Sequence, residues 1–206
     1  MADGNVTLVD GSPKIGLMTV HDPKTQQEAI IHTDGSCSAN GRGRRGGWAF
    51  VLQRPGQPVV ERCGSIPAPT TSNRMELQAI IEALKVLREY GQTYDIEIIS
   101  DSTYAVDGVS NWMHKWAKKG WITSTKTVVA NKDLWVELFE LAQPHKITCS
   151  WVESHAGDPD NERADQLANQ MAGCNRRVEY GPIESAYDRL LQKLMQPASE
   201  SHQGER

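Results

Sequence analysis

Two short apolar stretches of the sequence each stop at an aspartate. The first is residues 30–36, with Asp34 and Gly35 near its end, and the second is residues 96–102, with Asp101. Ligands bind at the carboxyl ends of the strands in an open α/β sheet, and a glycine there permits close backbone approach. If the two stretches are neighbouring strands, Asp34 and Asp101 meet as a pair of acids at a ligand-binding edge. The alternative for the first stretch is an ordinary Asp-Gly turn.

Three other polar residues are candidates for the same site, and each has a simpler interpretation. Glu76 lies three residues after Asn73 at the start of a predicted helix, where it could be a capping-box glutamate. His155 lies in the polar, glycine-containing loop 153–158, and could be a loop histidine without a role. Asp165 lies in the last predicted helix, where it could be an ordinary surface acid.

A basic and aromatic segment occupies residues 108–132 and contains no acid. In a chain with a net charge of −4, this segregation predicts a contact surface for a phosphate backbone. The alternative is a pair of helices whose tryptophans are core residues and whose lysines are merely solvated. Its lysines and aromatic residues are Lys115, Lys118, Lys119, Lys126 and Lys132, with Trp112, His114, Trp116 and Trp121.

The elements that must position these residues follow from hydrophobic periodicity. Residues 29–64 predict three successive antiparallel strands, because apolar residues alternate on both sides of the Pro55-Gly56 turn. Apolar residues at helical spacing then predict a long amphipathic helix after a polar capping cluster at 70–73. The remaining predicted elements are that helix at 74–90, a strand ending at 101, short helical patterns up to 116, a helix at 132–142, a strand at 146–152 and a helix at 160–172.

Length and composition predict one domain with tails. A chain of 206 residues with 38% hydrophobic content can form one substantial core. Residues 1–28 are predicted to be a flexible extension with one short apolar patch. Residues 29–173 form the predicted domain, and residues 174–206 a polar tail whose pattern allows a short helix near 185–195.

Cysteine usage and hydropathy point to a cytoplasmic protein. The four cysteines show no C-x-x-C spacing, which favours unlinked thiols in a reducing compartment. No run of 18 apolar residues is present, and the N-terminus lacks a signal-peptide pattern. We therefore expect a soluble, cytoplasmic protein without a membrane partner, and a monomer.

Taken together, the order β-β-β-α-β-α-β-α and the positions of the acids resemble the ribonuclease H family, type 1, bacterial form, over about residues 29–173. The resemblance implies an α/β fold with a five-stranded mixed sheet, the first three strands antiparallel and the others parallel, flanked by helices. The matching motifs are Thr-Asp-Gly-Ser at 33–36, Thr-x-Asn-Arg-Met-Glu-Leu at 71–77, Ser-Asp-Ser at 100–102, His-Ala-Gly at 155–157 and Asn-Glu-Arg-x-Asp at 161–165.

The resemblance implies an endoribonuclease that hydrolyses the RNA strand of RNA–DNA hybrids and leaves 5′-phosphate and 3′-hydroxyl ends. Asp34, Glu76, Asp101 and Asp165 would be the metal-binding carboxylates, and His155 a mobile residue that assists proton movement or product departure. Oxygen ligands of this kind suit Mg²⁺, with Mn²⁺ as an alternative. Two such ions about 4 Å apart stabilise both the attacking and the leaving oxygen.

The resemblance also implies substrate contacts on both strands of a hybrid. The loop after Asn40 and the residue near Pro69 depart from the family pattern, which bears on affinity more than on activity. The implied contacts are Gly35, Asn40, Ser72, Asn73 and Thr103 on the RNA strand, Thr71, Asn131 and Trp112 on the DNA strand, and Trp116, Lys118 and Lys119 in the basic protrusion.

Two other functions fit the same fold. A catalytically inert module that binds hybrids would be expected to have lost at least one of the four acids, and all four are present. A transposase or junction-resolving nuclease shares the metal-binding acids, but lacks the Asn-Arg-Met-Glu helix start and the lysine–tryptophan protrusion.

Overall fold

The computed structural model describes residues 27–38, 45–66 and 68–174, together with the backbone of residues 179–183. Asn40, nearly all of the predicted N-terminal extension and the predicted helix near 185–195 lie outside these residues. The strands are β1 (Gln27–Ser38), β2 (Arg45–Gln53), β3 (Val60–Ile66), β4 (Tyr94–Ser100), β5 (Lys146–Trp151) and β6 (Glu179–Ile183). The helices are α1 (Ser72–Glu89), α2 (Thr103–Asp107), α3 (Met113–Lys118), α4 (Lys132–Ala142) and α5 (Pro159–Ala172), with a π-helical turn at Gly108–Trp112.

The strands form one mixed sheet in the order β5-β4-β1-β2-β3-β6. β1, β2 and β3 are antiparallel neighbours, whereas β4 pairs in parallel with β1, and β5 with β4. The predicted five-stranded mixed sheet is thereby confirmed. The sixth strand, β6, pairs antiparallel with β3 in a region that we had predicted to be a polar tail. Its sequence, Glu-Tyr-Gly-Pro-Ile, contains glycine and proline, which are depleted in strands, so only pairing with the edge of β3 reveals it.

β1 is longer than the sequence pattern predicts at both ends. It begins at Gln27 rather than Ile30, and it continues past Asp34 to Ser38. The abrupt stop predicted at Asp34 was therefore wrong for the strand as a whole. The reason is that β1 has two neighbours: its parallel pairing with β4 ends at His32, whereas its antiparallel pairing with β2 continues to Ser38.

Helix α1 fills one face of the sheet. Its apolar residues at helical spacing are fully buried against β1 and α4, as the periodicity predicts. Burying one such side chain is worth about 1.5–3 kcal/mol. These buried residues are Leu77, Ile80, Ile81, Leu84 and Leu87.

Helix α5 covers the opposite face, where it packs on β1, β2 and β3. A small second core lies beneath it, formed by Ala49, Cys63, Leu167, Ala168 and Met171. The close packing depends on Gly47 of β2, because a Cβ there would lie 2.0 Å from the carbonyl oxygen of Ala168. The sheet is thus enclosed by α1 on one side and α5 on the other.

Candidate active site

The sheet register brings the two strand-end aspartates together. The last parallel pair between β1 and β4 joins His32 to Ile99. Asp34 and Asp101 each follow that pair by two residues, so they occupy equivalent places beyond the parallel pairing. Carboxylate oxygens of Asp34, Glu76 and Asp101 all lie within 4.8 Å of one another. The predicted meeting of Asp34 and Asp101 is therefore present in the structure.

Glu76 joins this cluster because α1 packs directly on the backbone of β1. A Cβ at Gly35 would lie 2.1 Å from the backbone nitrogen of Glu76, so only glycine allows this approach. The capping-box interpretation of Glu76 was wrong. The helix is capped by Thr71, whose side chain accepts a hydrogen bond from the backbone N–H of Arg74, and the Glu76 side chain is buried.

The cluster raises the pKa of its buried acids. The pKa of Asp34 rises to about 7, first because of burial and then because Asp101 and Asp165 repel a second negative charge; a hydrogen bond from the backbone of Gly35 partly opposes this. The pKa of Glu76 lies well above its ordinary value, again mainly through burial and then through Asp34. Without a counter-ion, burial and mutual repulsion therefore make ionisation of Asp34 and Glu76 unfavourable.

The donor set fits a hard divalent cation. Within the described residues the cluster supplies only carboxylate oxygens, which suit Mg²⁺ or Mn²⁺ better than zinc. One oxygen of Glu76, Oε2, is buried and has no hydrogen-bond partner among the described residues. A buried oxygen of this kind is costly unless it gains a partner, and a cation would supply one.

Asp165 approaches the cluster from α5. It lies outside the group of three whose oxygens are within 4.8 Å, yet it is close enough to raise the pKa of both Asp34 and Glu76. Its Oδ1 accepts a hydrogen bond of 2.7 Å from Nδ2 of Asn169. Its Oδ2 lies 4.0 Å from Nδ1 of His155. The structure thus places Asp165 between the cluster and the histidine loop.

His155 is presented to solvent by a loop that is held at its far end. Its side chain is 71% exposed, and its backbone has a φ of 57°, in the left-handed region. The next turn is fixed, because Gly157 donates its N–H to Glu162 and Asp158 caps α5 through two backbone N–H groups. Asp158 also lies 3.4 Å from Nε2 of the buried His32. The imidazole is therefore exposed while its loop is anchored.

The basic and aromatic segment has features of both alternatives given in the sequence analysis: packed tryptophans and exposed lysines. Trp116 packs against the core and lies 5.5 Å, centroid to centroid, from the buried Trp135. Trp112 lies 5.6 Å from Trp116 and is half-buried. Lys118 and Lys119 are exposed at the end of α3. The tryptophans therefore anchor the segment, and the lysines form its outer surface.

Arg74 links Thr71 and Asn131, two of the residues expected to contact the DNA strand. Its backbone N–H bonds to the cap residue Thr71, and its guanidinium donates to the side chains of Asn131 and Asp133. Asn131 has a left-handed backbone and also donates to the hydroxyl of Tyr104. The two predicted phosphate contacts, Thr71 and Asn131, are thereby tied to one another.

The remaining predicted contacts lie around the same surface. Ser72 and Asn73 form the exposed first turn of α1, and Thr103 is exposed at the start of α2. Gly35 lies in the cluster itself, and Asn40 is outside the described residues. Apart from His155 and Asp165, the predicted site residues that the structure describes therefore lie in β1, at the start of α1 or its cap, or in the segment after β4.

The sequence did not single out several residues that lie around the site. Asn169 bonds Asp165, and the indole of Trp151 donates to the backbone oxygen of Asp101 at 2.9 Å. Trp151 is 53% exposed, although its alternation in β5 suggested an ordinary strand residue. Arg74 lies within a recognised motif, which is the only signal that could have singled it out; Asn169 offers only its spacing of four residues from Asp165.

Comparison with known proteins agrees with this geometry. The ribonuclease H family model matches residues 26–173. A ribonuclease H of Zymomonas mobilis is 46% identical over 152 residues, covering 73% of this chain and 93% of its own length. One of Cupriavidus pinatubonensis is 47% identical over 144 residues, covering 70% and 94%.

A solved structure gives the same result for the fold. LC9-RNase H1, described as a type 1 RNase H with the type 2 active-site motif, is similar with a TM-score of 0.67 and 32% identity, covering 81% of each chain. Among the described residues, no helix is both long and apolar enough to cross a membrane. With the family model matching most of the chain and close relatives covered almost completely, this chain belongs to the ribonuclease H family of hydrolytic nucleases.

Proposed function

We propose that the protein is an endoribonuclease that hydrolyses the RNA strand of RNA–DNA hybrids with two divalent metal ions, leaving 5′-phosphate and 3′-hydroxyl ends. The observation that carries this proposal is the group of Asp34, Glu76 and Asp101, two buried acids and one half-buried acid whose oxygens lie within 4.8 Å of one another. In a member of the ribonuclease H family, such a group is the natural place for phosphodiester hydrolysis.

Four carboxylates would hold the ions. In keeping with the family resemblance, we assign Asp34 as the shared ligand; it lies with Glu76 and Asp101 in the group of three and is close enough to Asp165 for that acid to raise its pKa. Glu76 and Asp101 complete the group of three, and Asp165 contributes from the α5 side. When bound, two Mg²⁺ ions stabilise the negative charge that develops on the attacking and leaving oxygens. Mn²⁺ has the same ligand preferences and is the alternative ion.

His155 is suited to proton movement at the edge of this site. It is exposed, 4.0 Å from Asp165, and carried by a loop that is anchored through Gly157 and Asp158. Imidazole is the side chain used most often for general acid–base catalysis. We infer that His155 assists proton transfer or product departure and is not a metal ligand.

Substrate recognition follows from two surfaces beside the cluster. Polar groups around Gly35, Ser72, Asn73 and Thr103 would read the RNA strand and its 2′-hydroxyls, with Asn40 as a further predicted contact. Thr71 and Asn131, joined through Arg74, would hold a phosphate of the DNA strand. The tryptophans and lysines of the protrusion would grip the DNA strand, and the principal residues there are Trp112, Trp116, Lys118 and Lys119.

One incubation series tests the proposal. The protein, with Mg²⁺ or with chelator, is mixed with labelled RNA–DNA hybrid, RNA duplex, DNA duplex and a four-way junction. We expect cleavage of the RNA strand of the hybrid alone, only with the metal, and products that a 5′-phosphate-dependent exonuclease degrades. The Asp34→Asn variant, purified identically, controls for contaminating nuclease.

The other outcomes identify the competing functions. Cleavage of the junction in preference to the hybrid would indicate a resolvase-like nuclease. Tight hybrid binding without cleavage under any metal condition would indicate an inert binding module. A monomeric state and a cytoplasmic location remain predictions from the sequence.

A further inference from the structure

We propose that Asn169 and Ser36 are positioning residues that set the orientation of Asp165 for metal binding. The inference rests on the proposed function, since it assigns Asp165 to the metal site. Asn169 donates to Asp165 from α5, and Ser36 fixes Asn169 from β1. Neither residue belongs to the carboxylate group, and neither carries a charge.

The three side chains form a chain of hydrogen bonds with one direction. Nδ2 of Asn169 lies 2.7 Å from Oδ1 of Asp165, and Oγ of Ser36 lies 2.5 Å from Oδ1 of Asn169. An ionised carboxylate only accepts hydrogen bonds, so the amide must turn its NH₂ group toward Asp165. Its carbonyl oxygen then faces Ser36, whose hydroxyl is the donor. Each group has the partner that its chemistry requires.

The fold brings these residues together by close packing of α5 on the sheet. Ser36 of β1 is paired with Gly47 of β2. Gly47 has no room for a side chain, because a Cβ would lie 2.0 Å from the oxygen of Ala168 and 2.4 Å from the nitrogen of Ala172. The helix backbone therefore meets the sheet beside Ser36, and Asn169 follows Ala168 directly. Asp165 lies one helical turn earlier, four residues from Asn169.

Three consecutive residues of β1 thereby position acids from two helices on opposite faces of the sheet. Asp34 itself belongs to the carboxylate group that it forms with Glu76 and Asp101. Gly35 admits the backbone of α1 at Glu76. Ser36 holds Asn169, and through it Asp165 of α5. The same short stretch of strand is therefore the reference for three of the four acids.

The hydrogen bond to Oδ1 leaves Oδ2 as the oxygen available to a cation and to His155. The Asp165 side chain is 26% exposed, so without a partner it could rotate toward water. Metal binding would then have to order the side chain, at a cost in conformational entropy. Loss of the bond should therefore weaken metal binding, while the affinity for the hybrid should be nearly unchanged.

The test compares Asn169→Ala, Asn169→Leu and Ser36→Ala with the matched control Gln170→Ala. Gln170 is the next residue of α5 and is also exposed. We expect Asn169→Ala to raise the Mg²⁺ concentration for half-maximal kcat by about five- to tenfold, the usual value of a hydrogen bond to a charged group reduced for exposure. The KM for the hybrid should change less than twofold. Ser36→Ala should have a smaller effect in the same direction.

Asn169→Leu keeps roughly the shape of the side chain but removes the donor without adding a charge. If Asn169 acted only by filling space on the helix surface, Asn169→Leu would behave like wild type. We expect Asn169→Leu to require as much Mg²⁺ as Asn169→Ala, because both lack the hydrogen bond to Asp165. Unfolding midpoints in chelator show whether each variant is folded.

A measurement without substrate completes the test. The rise in unfolding midpoint on adding Mg²⁺ reports metal binding alone. Asn169→Ala should reduce this rise in the wild-type background, but not in an Asp165→Asn background, because the two residues act together. Equal effects in both backgrounds, or an Asn169→Ala variant that matches Gln170→Ala, would overturn the inference alone. A wild type that neither cuts hybrid nor responds to Mg²⁺ would overturn the proposed function itself.

Discussion

The carboxylate site and the basic protrusion differ in how they hold their charges. At the site, Asp34 and Glu76 are buried among like charges, and one oxygen of Glu76 has no partner among the described residues. In the protrusion, residues 108–132, the cations Lys118 and Lys119 are exposed and the packing is done by aromatic rings. At the site, the carboxylates repel one another until a cation binds. In the protrusion, the exposed lysines can contact an anionic partner at little cost in free energy.

The two regions also differ in how they are assembled. The protrusion is one continuous segment whose rings pack on Trp135 and Phe139 of the following helix. The site draws its acids from β1, α1, the end of β4 and α5. Changes at the site should therefore alter chemistry and stability together, whereas changes on the outer surface of the protrusion should alter substrate affinity alone.

The largest effect is expected for Asp34→Asn. We expect hydrolysis to fall below about one part in a thousand of wild type, because the shared metal ligand is lost. Hybrid binding should survive, since the contacts of the protrusion are unchanged. Single-turnover cleavage and a binding isotherm in Mg²⁺ measure the two effects, with Glu140→Gln, an exposed acid of α4, as the matched control. Turnover above that level would show that Asp34 is not the shared ligand.

A smaller loss is expected for His155→Ala. The metal ions supply most of the stabilisation, so kcat should fall by about 10–100-fold, at or below the usual range for a general acid or base. The KM should change little. A loss as complete as that of Asp34→Asn would instead make His155 a metal ligand.

Repulsion between the carboxylates at the site should lower the stability of the metal-free protein. Like charges about 4 Å apart interact by roughly 4 kcal/mol at an effective dielectric of 20. In chelator at low salt and about pH 8.5, where the Asp34 carboxyl is ionised, Asp34→Asn should therefore raise the free energy of unfolding by about 1–3 kcal/mol after screening and relaxation. Mg²⁺ stabilises the wild type more, so the difference should narrow. Denaturant titrations with and without Mg²⁺ measure this, and a mutant no more stable than wild type in chelator would contradict a carboxylate cluster.

The pH dependence of the same experiment has a definite sign. The pKa of Asp34 is raised to about 7 in the folded protein, so between the ordinary carboxyl range and pH 7 the folded state holds a proton that the unfolded chain has released. Stability in chelator should therefore fall as pH rises through about 7. Asp34→Asn should flatten this slope, and saturating Mg²⁺ should abolish or reverse it.

The smallest effect is expected in the protrusion. Changing both Lys118 and Lys119 to glutamate should raise KM by about tenfold at low salt and flatten its salt dependence, with kcat nearly unchanged. As a control, Arg88→Glu reverses one charge on an exposed side chain in the last turn of α1, and it is compared with Lys118→Glu alone. If these two single variants had equal KM values, the protrusion lysines would be merely solvated.

Local sequence was sufficient wherever one element decides the outcome. The apolar spacing of α1 predicted a helix whose Leu77 and Leu84 are buried, and alternation predicted β2 and β3. The positions of Asp34 and Asp101 at the ends of two strands predicted that they lie close together, because parallel neighbours in one sheet present their carboxyl ends at one edge. The family resemblance carried by the motifs also predicted one metal-binding set of Asp34, Glu76, Asp101 and Asp165, which stays a prediction; the structure brings the first three within 4.8 Å.

Tertiary structure decided what depends on two elements at once. β1 extends past Asp34 because β2 continues to pair with it, and β6 exists because β3 offers an edge. The raised pKa of Asp34 requires burial and neighbours from β4 and α5, which no local pattern contains. The hydrogen bond from Asn169 to Asp165 joins residues four apart in the sequence. The bond from Ser36 to Asn169 joins residues 133 apart, and it forms because Gly47 lets α5 pack closely on the sheet. Periodicity encodes which face of an element is buried, whereas distances between side chains arise only when the faces pack.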